Sequence, residues 1–478
     1  MKKTGLFKII MFILLGMVVA TWIFSASYFN EGNLAELGMY NIGFFDFFSL
    51  IFGSFEFAYF LQIFILLLSI GALYGVLGKT GKYRAWIEKI ANYFKGVEFI
   101  FLLIVAFLIA VLTSVFDYGY LILLFFPLLV STILAMGYDK VTALVTTVGA
   151  VLIGTIGNIV GNATSGVVAD IIGIEATSGF YYKLGLLILS LIPLVLYLSK
   201  AKKTKKTTKA LEEEDMFIGE KEPNKYSIAS IIVIFSLLFV LLIIGCTAWN
   251  NSFKIDIFSK LHENVTTWSP KLPYIHITTD GIETGSEKVA IFTKLFGTVS
   301  AFGEWRYAEM SMICLIAAVV LGLLYRVKGI FAAMADGAKK MLKPAFLVMM
   351  AYTVVYFAGN QMIFPTIAKL ILSISGKFSV ILSSIVLALG SVLHVDILYV
   401  ANYVVPQLAA YDVDKSLVAL LTQSIYGVTM FVAPTSAFLV FGLSYLNVPY
   451  KEWIKKTWKL VVTLLAVVLI ILLIAKFA

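Results

Sequence analysis

The stretch GTIGNIVGNATSG, residues 154–166, interrupts a strongly apolar segment with glycines, asparagines, threonines and a serine. Backbone N–H and C=O groups inside a bilayer must be hydrogen-bonded, so such a break is tolerated only where it packs against protein or lines a watery cavity. Close packing between helices is the simpler explanation, because glycine and threonine also let helices approach each other. The stretch therefore predicts either an interrupted helix or the tip of a hairpin within the membrane.

The composition of the whole chain places this break in an integral membrane protein. Of its 478 residues, 60% are hydrophobic and 14% are charged, and the mean hydropathy is +0.96. Soluble domains carry roughly 25% charged residues. Apolar runs long enough to span a bilayer recur along the whole length. They predict an all-α polytopic membrane protein with about 10–12 transmembrane spans, located in the cell membrane.

The charged residues and the cysteines exclude several other classes of protein. The net charge is +9, but the lysines and arginines lie in loops between apolar runs, as the positive-inside rule expects. No basic face is interleaved with aromatic residues, so we expect no nucleic-acid partner. Cys246 and Cys314 fall in apolar runs, and no histidine has metal-ligand spacing. We therefore expect no resident cofactor or metal.

Short motifs recur in the same order in the two halves of the chain. An acid precedes a proline by ten residues in both halves, an Asp-Lys pair follows, and a Thr-Ser pair comes last. The matching positions are Asp117 and Asp396, Asp139-Lys140 and Asp414-Lys415, and Thr164-Ser165 and Thr435-Ser436. The offsets of 279, 275 and 271 residues fall by about one helical turn each time. Weak internal symmetry of this kind is typical of secondary transporters.

The predicted positions of the loops on the two sides of the membrane indicate that the two halves are inverted. Counting spans from a cytoplasmic N-terminus puts the first Asp-Lys pair inside and the second outside. We therefore expect two inverted repeats. The predicted segments are an N-terminal transmembrane helix and connector (1–45), a first transport repeat (46–199), a cytoplasmic charged linker (200–225), a transmembrane helix with an external segment (226–306) and a second transport repeat (307–478).

The polar breaks and the ionisable residues of the apolar runs supply the candidate site. Pro434 frees carbonyl groups that can coordinate Na⁺, while the N-termini of half-helices favour a carboxylate. A charged carboxylate inside the membrane costs at least roughly 2.5–3.5 kcal/mol, so acids there are functional candidates. The predicted substrate-binding residues are Asn158, Asn162, Thr164, Ser165, Pro434, Thr435, Ser436, Asp117 and Asp396. The candidates for binding a coupling Na⁺ or H⁺ are Asp117, His394, Asp396 and Asn402.

Each of these residues also has a structural interpretation. The acids can pair with a lysine or arginine near the end of a helix, and lone amides often join neighbouring helices. The recurrence of the polar break in both halves favours a binding site.

Several motifs resemble a known family of carriers. The sequences LGKTG after the second apolar run, FFPLLVSTILAMGYDKVTALVTTVGA, and APTSAF followed by NVPYKEWIKK resemble the YfcC-type members of the C4-dicarboxylate anaerobic carrier family. That family belongs to a broader ion-transporter superfamily, which includes arginine/ornithine exchangers. The resemblance runs from about residue 57 to the C-terminus, apart from the linker and residues 249–305. It implies a fold of two inverted repeats, each with a re-entrant hairpin, in a homodimer that works by alternating access.

The leading interpretation is a secondary active transporter that carries a small-molecule substrate across the lipid bilayer. The resemblance points to exchange of basic amino acids such as arginine for ornithine. The alternative is a Na⁺- or H⁺-coupled carrier of C4-dicarboxylates or other small carboxylates. A polytopic membrane enzyme is a further alternative, but it would need a cluster of catalytic residues that the sequence does not offer. A channel would need rings of charge along a pore.

Overall fold

The computed structural model describes residues 5–30, 33–203, 217–218, 227–278 and 281–477. Within these ranges the chain is mostly helical, and its strands form two separate antiparallel hairpins. Most of the predicted linker, residues 204–216 and 219–225, lies outside the described ranges.

The first half contains one strand hairpin and the helices that build the first half of the site. Its strands are β1 (Ala26–Asn30) and β2 (Asn33–Gly38). Its helices are α1 (Leu6–Thr21), α2 (Phe44–Glu56), α3 (Ala58–Lys79), α4 (Tyr83–Tyr93), α5 (Glu98–Phe116), α6 (Gly119–Ala135), α7 (Lys140–Ile156), α8 (Val167–Ile172) and α9 (Phe180–Ser199).

The second half has the other strand hairpin, between two short helices. Its strands are β3 (Lys271–Thr278) and β4 (Gly281–Lys288). Its helices are α10 (Ala229–Cys246), α11 (Trp249–Phe253), α12 (Ile257–Thr267), α13 (Ile291–Phe296), α14 (Tyr307–Leu324), α15 (Ile330–Gln361), α16 (Phe364–Leu372), α17 (Val380–Leu393), α18 (Ile397–Ala409), α19 (Lys415–Met430), α20 (Ala437–Tyr445) and α21 (Tyr450–Phe477).

Helix length and composition identify a multi-pass membrane protein. Among the described residues, seven helices are long and apolar enough to cross a membrane, namely α3, α5, α9, α10, α14, α15 and α21. Other apolar helices, including α1, α6, α7, α17 and α18, have 17 residues or fewer. The prediction of an all-α polytopic protein is confirmed. The sequence-based figure of about 10–12 spans also counts these shorter helices.

Helices α5 and α6 form a hairpin whose tip is Asp117. This residue adopts a left-handed conformation (φ 56°), which ends α5 and turns the chain. The Lys203 ammonium lies 2.5 Å from the Glu98 carboxylate at the start of α5. The same ammonium lies 5.8 Å from the ring centre of Tyr138, just after α6. Both ends of the hairpin therefore return to one face of the protein.

Helices α17 and α18 form the matching hairpin in the second half, with Asp396 at its tip. The ring of Phe378, before α17, packs 6.3 Å from the ring of Tyr411, after α18. The Lys476 ammonium lies 5.9 Å from the Phe378 ring. This hairpin also returns to the face from which it starts. The two hairpins turn at Asp117 and Asp396. The polar breaks lie further along the chain, after α7 and after α19.

The polar breaks are interrupted helices in which the chain continues past the break. After the break, α8 packs against α18, and within the described residues it does not fold back along α7. The Lys415 ammonium, at the start of α19, donates to the carbonyl of Ile172 at the end of α8 (2.9 Å). Reciprocally, Lys140 at the start of α7 donates to the carbonyl of Leu446, just after α20 (3.1 Å). The pairs α7–α8 and α19–α20 therefore run past each other in opposite directions.

The long helix α21 shows that the two halves are inverted. Its 28 residues extend about 42 Å at 1.5 Å per residue. Near its start, Lys456 forms an ion pair with Asp139, the residue that caps α7 (2.7 Å). Near its end, Lys476 lies against Phe378 at the start of the second hairpin. Lys203 contacts both Glu98, at the start of the first hairpin, and Tyr138, next to Asp139, so the two hairpins begin at opposite ends of α21, as the predicted inversion requires.

Glycines hold α3 and α15 in direct backbone contact. A Cβ atom added to Gly337 would lie 2.1 Å from the carbonyl oxygen of Gly71. One added to Gly75 would lie 2.3 Å from the carbonyl oxygen of Ala333. Any side chain at these positions would separate the two helices. Helix α14 packs on another part of α3 and completes this group.

Candidate functional site

A cavity of about 370 Å³ lies where the two hairpin tips, the two breaks and the α3–α14–α15 group meet. Five of the residues predicted from the sequence line it: Asp117, Asn162, Thr164, Asp396 and Ser436. The inverted halves therefore bring together polar groups that are far apart in the chain. This is the position that carriers with interrupted helices use for substrate.

The carboxylate of Asp117 accepts hydrogen bonds from four donor groups of the first break. Its Oδ1 accepts hydrogen bonds from Asn158 Nδ2 and from Thr164 Oγ1, both at 2.7 Å. Its Oδ2 accepts from the backbone N–H groups of Ala163 (2.7 Å) and Thr164 (3.0 Å). A carboxylate offers about four acceptor sites, so these four donors use its capacity. Asp117 joins the hairpin tip to the break and positions the break at the cavity wall.

Gly161 allows this contact. A Cβ atom at residue 161 would lie 2.3 Å from Asp117 Oδ2 and 2.5 Å from Asn158 Nδ2. Asn158 is fully buried, and its Oδ1 accepts from the backbone N–H of Gly161 (3.0 Å). Residues 154–166 therefore contain glycine and asparagine because the Asp117 carboxylate must come close to the backbone of this segment.

Ser165 connects the first break to the opposite repeat rather than to the cavity. Its Oγ lies 2.8 Å from Gln423 Oε1 of α19 and 2.8 Å from the Asn158 carbonyl. The Lys183 ammonium of α9 lies 3.2 Å from the same Oγ. Neither Lys183 nor Gln423 is a residue that the sequence pattern predicts. The signal for Lys183 is a charge within an apolar span, although a lysine near a helix end also suggests an interfacial position.

Asp396 faces the cavity and keeps part of its hydrogen-bonding capacity free. Its Oδ2 accepts from the hydroxyl of Tyr59 (2.7 Å), and its Oδ1 accepts from the backbone N–H of Leu398 (3.0 Å), which caps α18. Within the part of the chain that the structure describes, no lysine or arginine forms an ion pair with it. The equivalent acids of the two repeats therefore have different surroundings.

A ring of tyrosines surrounds Asp396. Its members come from five different helices: Tyr59, Tyr120, Tyr307, Tyr352 and Tyr426. The hydroxyls of Tyr120 and Tyr352 are hydrogen-bonded to each other. The rings of Tyr120 and Tyr307 pack edge to face at 4.9 Å. Sequence analysis does not find this ring, because the five residues share no spacing and meet only in the folded chain.

The segment between α10 and α14 lines the other side of the cavity. Thr247, Phe253, Glu304 and Arg306 contribute to the lining, and Arg306 is exposed. The hydroxyls of Tyr118 and Thr247 are hydrogen-bonded, which ties this segment to the start of α6. The external segment predicted around 249–305 therefore reaches the site.

The remaining predicted residues lie away from the cavity lining. Thr435 is buried and donates to the carbonyl of Val392 (2.7 Å), so it holds the break against the second hairpin, next to Pro434. His394 is fully buried, its ring stacks on Tyr403 at 4.7 Å, and neither of its nitrogens has a hydrogen-bond partner among the described residues. Asn402 is exposed on α18 and donates to its own helix at Leu398 (2.8 Å).

The donor set of the site does not resemble a site for a transition metal. Among the described residues, no group of three or more histidine, cysteine, aspartate or glutamate side chains is placed to hold a metal ion. The polar groups that converge on the cavity are instead single carboxylates, hydroxyls, amides and backbone groups. Such groups bind organic ions and alkali cations by hydrogen bonding and coordination.

Comparisons with known proteins identify the family to which the chain belongs. Among solved structures, the chain is similar to the YdaH transporter of Alcanivorax borkumensis, at 14% identity over 98% of both chains and with a TM-score of 0.44. No curated protein sequence matches the chain significantly. The family model for the C4-dicarboxylate anaerobic carrier matches residues 4–477. The chain is a multi-pass membrane transporter rather than an enzyme, and it belongs to the C4-dicarboxylate anaerobic carrier family.

Proposed function

We propose that this transporter carries amino acids with a cationic side chain, of the arginine and ornithine type, and exchanges them across the cell membrane by alternating access. The observation that carries the proposal is the environment of Asp396. This carboxylate lies in the cavity with only two hydrogen-bond donors and without a basic partner in the described chain. An acid held inside the membrane without a counter-ion attracts a cation, because pairing offsets the cost of its burial.

The tyrosine ring supports a cationic ligand. The faces of aromatic rings attract ammonium and guanidinium groups, and the attraction grows when the site excludes water. Four ring members, Tyr59, Tyr120, Tyr307 and Tyr352, contact one another around Asp396. A guanidinium placed against Asp396 would meet both a carboxylate and aromatic faces.

The second break supplies groups suited to the α-carboxylate of an amino acid. Helix α20 begins at Ala437, and both Ser436 and Ala437 line the cavity. The backbone N–H groups at a helix N-terminus favour an anion. The Ser436 Oγ is buried and has no hydrogen-bond partner among the described residues. A carboxylate bound there would use that hydroxyl.

A C4-dicarboxylate is the second candidate, and Arg306 is the observation that favours it. This exposed arginine lines the cavity and can pair with a carboxylate. The second carboxylate of such a substrate would meet the negative charge of Asp396. Bound Na⁺ or a proton would then have to neutralise Asp396, which makes this carrier ion-coupled.

Counterflow in proteoliposomes tests the proposal. Vesicles that contain the purified full chain are loaded with one unlabelled compound, either arginine, ornithine, lysine, citrulline or succinate, and are then diluted into labelled arginine. We expect accumulation with arginine, ornithine and lysine inside. In a parallel assay with succinate inside and labelled succinate outside, accumulation of succinate without any accumulation of arginine would instead establish the dicarboxylate function. Protein-free vesicles give the background.

We also propose that two copies of the chain form a homodimer in the membrane. The resemblance to the YfcC-type carriers supports this assembly. Native mass spectrometry of the protein released from nanodiscs should give twice the chain mass of 52.8 kDa. A single-chain mass for the protein released from nanodiscs would contradict the proposed dimer.

A further inference from the structure

A lysine of α9 packs against the first break without an acidic partner among the described residues. Lys183, in the first turn of α9, is only 1% exposed. Its ammonium donates to the carbonyl of Ala176 (2.5 Å), to the Ser165 hydroxyl (3.2 Å) and to the carbonyl of Ile159 (3.4 Å). All three acceptors are neutral. Within the described chain, no aspartate or glutamate forms an ion pair with this ammonium.

The surroundings of Lys183 are those of a small cation site. A buried charge is stable only when it is paired or coordinated, and a charge within a membrane protein marks a functional position by default. Two carbonyls and a hydroxyl beside an unwound helix are the ligands that secondary transporters offer to Na⁺. The ammonium of lysine is a compact point charge with three donors, so it can take the same oxygen shell.

The ammonium is also connected to the substrate cavity. Ser165 contacts the carbonyl of Asn158 and the amide of Gln423, and Gln423 Nε2 donates to the same Asn158 carbonyl (2.9 Å). Asn158 in turn donates to Asp117 at the cavity wall. The charge of Lys183 therefore supports the shape of the first break through a continuous hydrogen-bonded chain.

We propose that the Lys183 ammonium is the resident cation of the first repeat, in the place that Na⁺ would otherwise occupy, so that the first break needs no sodium to keep its shape. The inference rests on the proposed transport function, because it assigns the ion requirement of that cycle. At the second break, the Ser436 hydroxyl, which corresponds to that of Ser165, has no hydrogen-bond partner among the described residues. The lysine therefore distinguishes the two repeats.

Thermal unfolding of the purified full chain tests this assignment. Melting temperatures are measured in NaCl and in N-methyl-D-glucamine chloride at equal ionic strength. Lys183→Ala removes the ammonium and leaves its oxygen ligands in place. We expect this variant to gain a saturable stabilisation by Na⁺ of about 2–4 °C beyond any response of the unmodified protein, since a bound ion stabilises the folded state.

Two further variants separate a cation site from simple packing. Lys200→Ala removes an exposed lysine just after the same helix and should leave the response to Na⁺ unchanged. Lys183→Met keeps the side-chain volume without the charge, so it should lose stability in both salts without a sodium response. A Lys183→Ala variant that melts at the same lowered temperature in both salts overturns the proposal. Failure of this variant to fold even in NaCl also counts against it.

The transport measurement uses the same variants. Counterflow by Lys183→Ala should be reduced at least tenfold in N-methyl-D-glucamine chloride and should recover partly in NaCl. The melting response does not depend on which substrate is carried. A protein that fails to exchange arginine but shows the sodium response in Lys183→Ala would contradict the proposed substrate and retain the role of Lys183.

Discussion

Asp117 and Thr164 are joined by two hydrogen bonds, one from the threonine hydroxyl to Oδ1 and one from its backbone N–H to Oδ2. The equivalent acid of the second repeat, Asp396, caps its own helix and accepts from Tyr59. The sequence places the two acids in matching positions, but their partners assign them different tasks. Asp117 shapes the first break, and Asp396 is the acid available to a ligand.

Replacement of Asp117 should weaken the binding of every substrate. Asp117→Asn replaces one acceptor oxygen by an NH₂ group, which faces N–H or O–H donors. Leaving partly buried donors unsatisfied costs about 1–3 kcal/mol, so the melting temperature should fall. Arginine and the neutral analogue citrulline should lose affinity to a similar degree in a competition assay. Selective loss of arginine binding would show instead that Asp117 contacts the cationic group.

Replacement of Asp396 should weaken the binding of cationic substrates and should have little effect on neutral ones. A hydrogen bond to a charged group contributes about 1.5–3 kcal/mol, so Asp396→Asn should weaken arginine binding by roughly 10–100-fold. Citrulline binding should change little. Asp170→Asn, at an exposed acid on α8, is the matched control and should bind arginine normally. Equal losses for both ligands would contradict a contact between Asp396 and the substrate side chain.

Tyr59 and Asp396 should act as a coupled pair. Tyr59→Phe removes the donor to Oδ2 but keeps the aromatic ring, so it should weaken arginine binding less than Asp396→Asn. The double variant should lose less affinity than the two single losses predict together, with a coupling of about 0.5–3 kcal/mol. Affinities measured by scintillation proximity for the four proteins of the cycle give this value. Simple additivity would place the hydroxyl outside the binding interaction.

Two glycines provide a matched test of the first break. Gly161→Ala introduces a methyl group against Asp117 Oδ2 and Asn158 Nδ2. We expect the free energy of unfolding to fall by about 1–3 kcal/mol and counterflow to be strongly reduced, because the Asp117 carboxylate must move away from the break. A Cβ atom at Gly185 on α9 meets no atom within 4 Å, so Gly185→Ala should transport normally. Similar activity in the two variants would refute the close contact.

Sidedness can be tested with introduced cysteines. In a background with Cys246→Ala and Cys314→Ala, Thr267→Cys should react in intact cells with an impermeant maleimide, because the loop after α10 is predicted to be external. Lys200→Cys should react only after the cells are made permeable. Both replaced positions are exposed. Equal labelling of the two variants in intact cells would refute the proposed topology. Labelling of Lys200→Cys alone would reverse it.

The general architecture could be predicted because hydrocarbon imposes strict rules on the chain. Apolar runs mark the membrane helices, and the Asp-Lys pairs mark the starts of α7 and α19, where Asp139 and Asp414 cap the first turns. The turn at Asp117 was harder to predict, since a single left-handed residue leaves no trace in hydropathy. The sequence predicts that the polar breaks are interrupted helices or hairpin tips, and the structure supports the first alternative.

The details of the site depend on tertiary contacts that one sequence does not encode in its spacing. The tyrosine ring is assembled from five helices, and Lys183 gains its oxygen ligands only when α9 packs against the break. Thr435 has a motif partner in Thr164, yet its hydroxyl binds a hairpin carbonyl instead of lining the cavity. Internal symmetry identifies equivalent positions in the two repeats, but tertiary packing determines which of them lines the cavity.

The backbone contact of Gly71 and Gly75 with Gly337 has a consequence for motion. Alternating access requires one part of a carrier to move while another stays in place. Backbone contact at these glycines leaves little room for α3 and α15 to shift against each other, since each carbonyl occupies the space that a side chain would need. In the proposed alternating-access cycle, we therefore expect α3 and α15 to move together as one unit. We expect the displacement to occur in the hairpins and interrupted helices, which contact this unit through side chains such as Tyr59 and Tyr352.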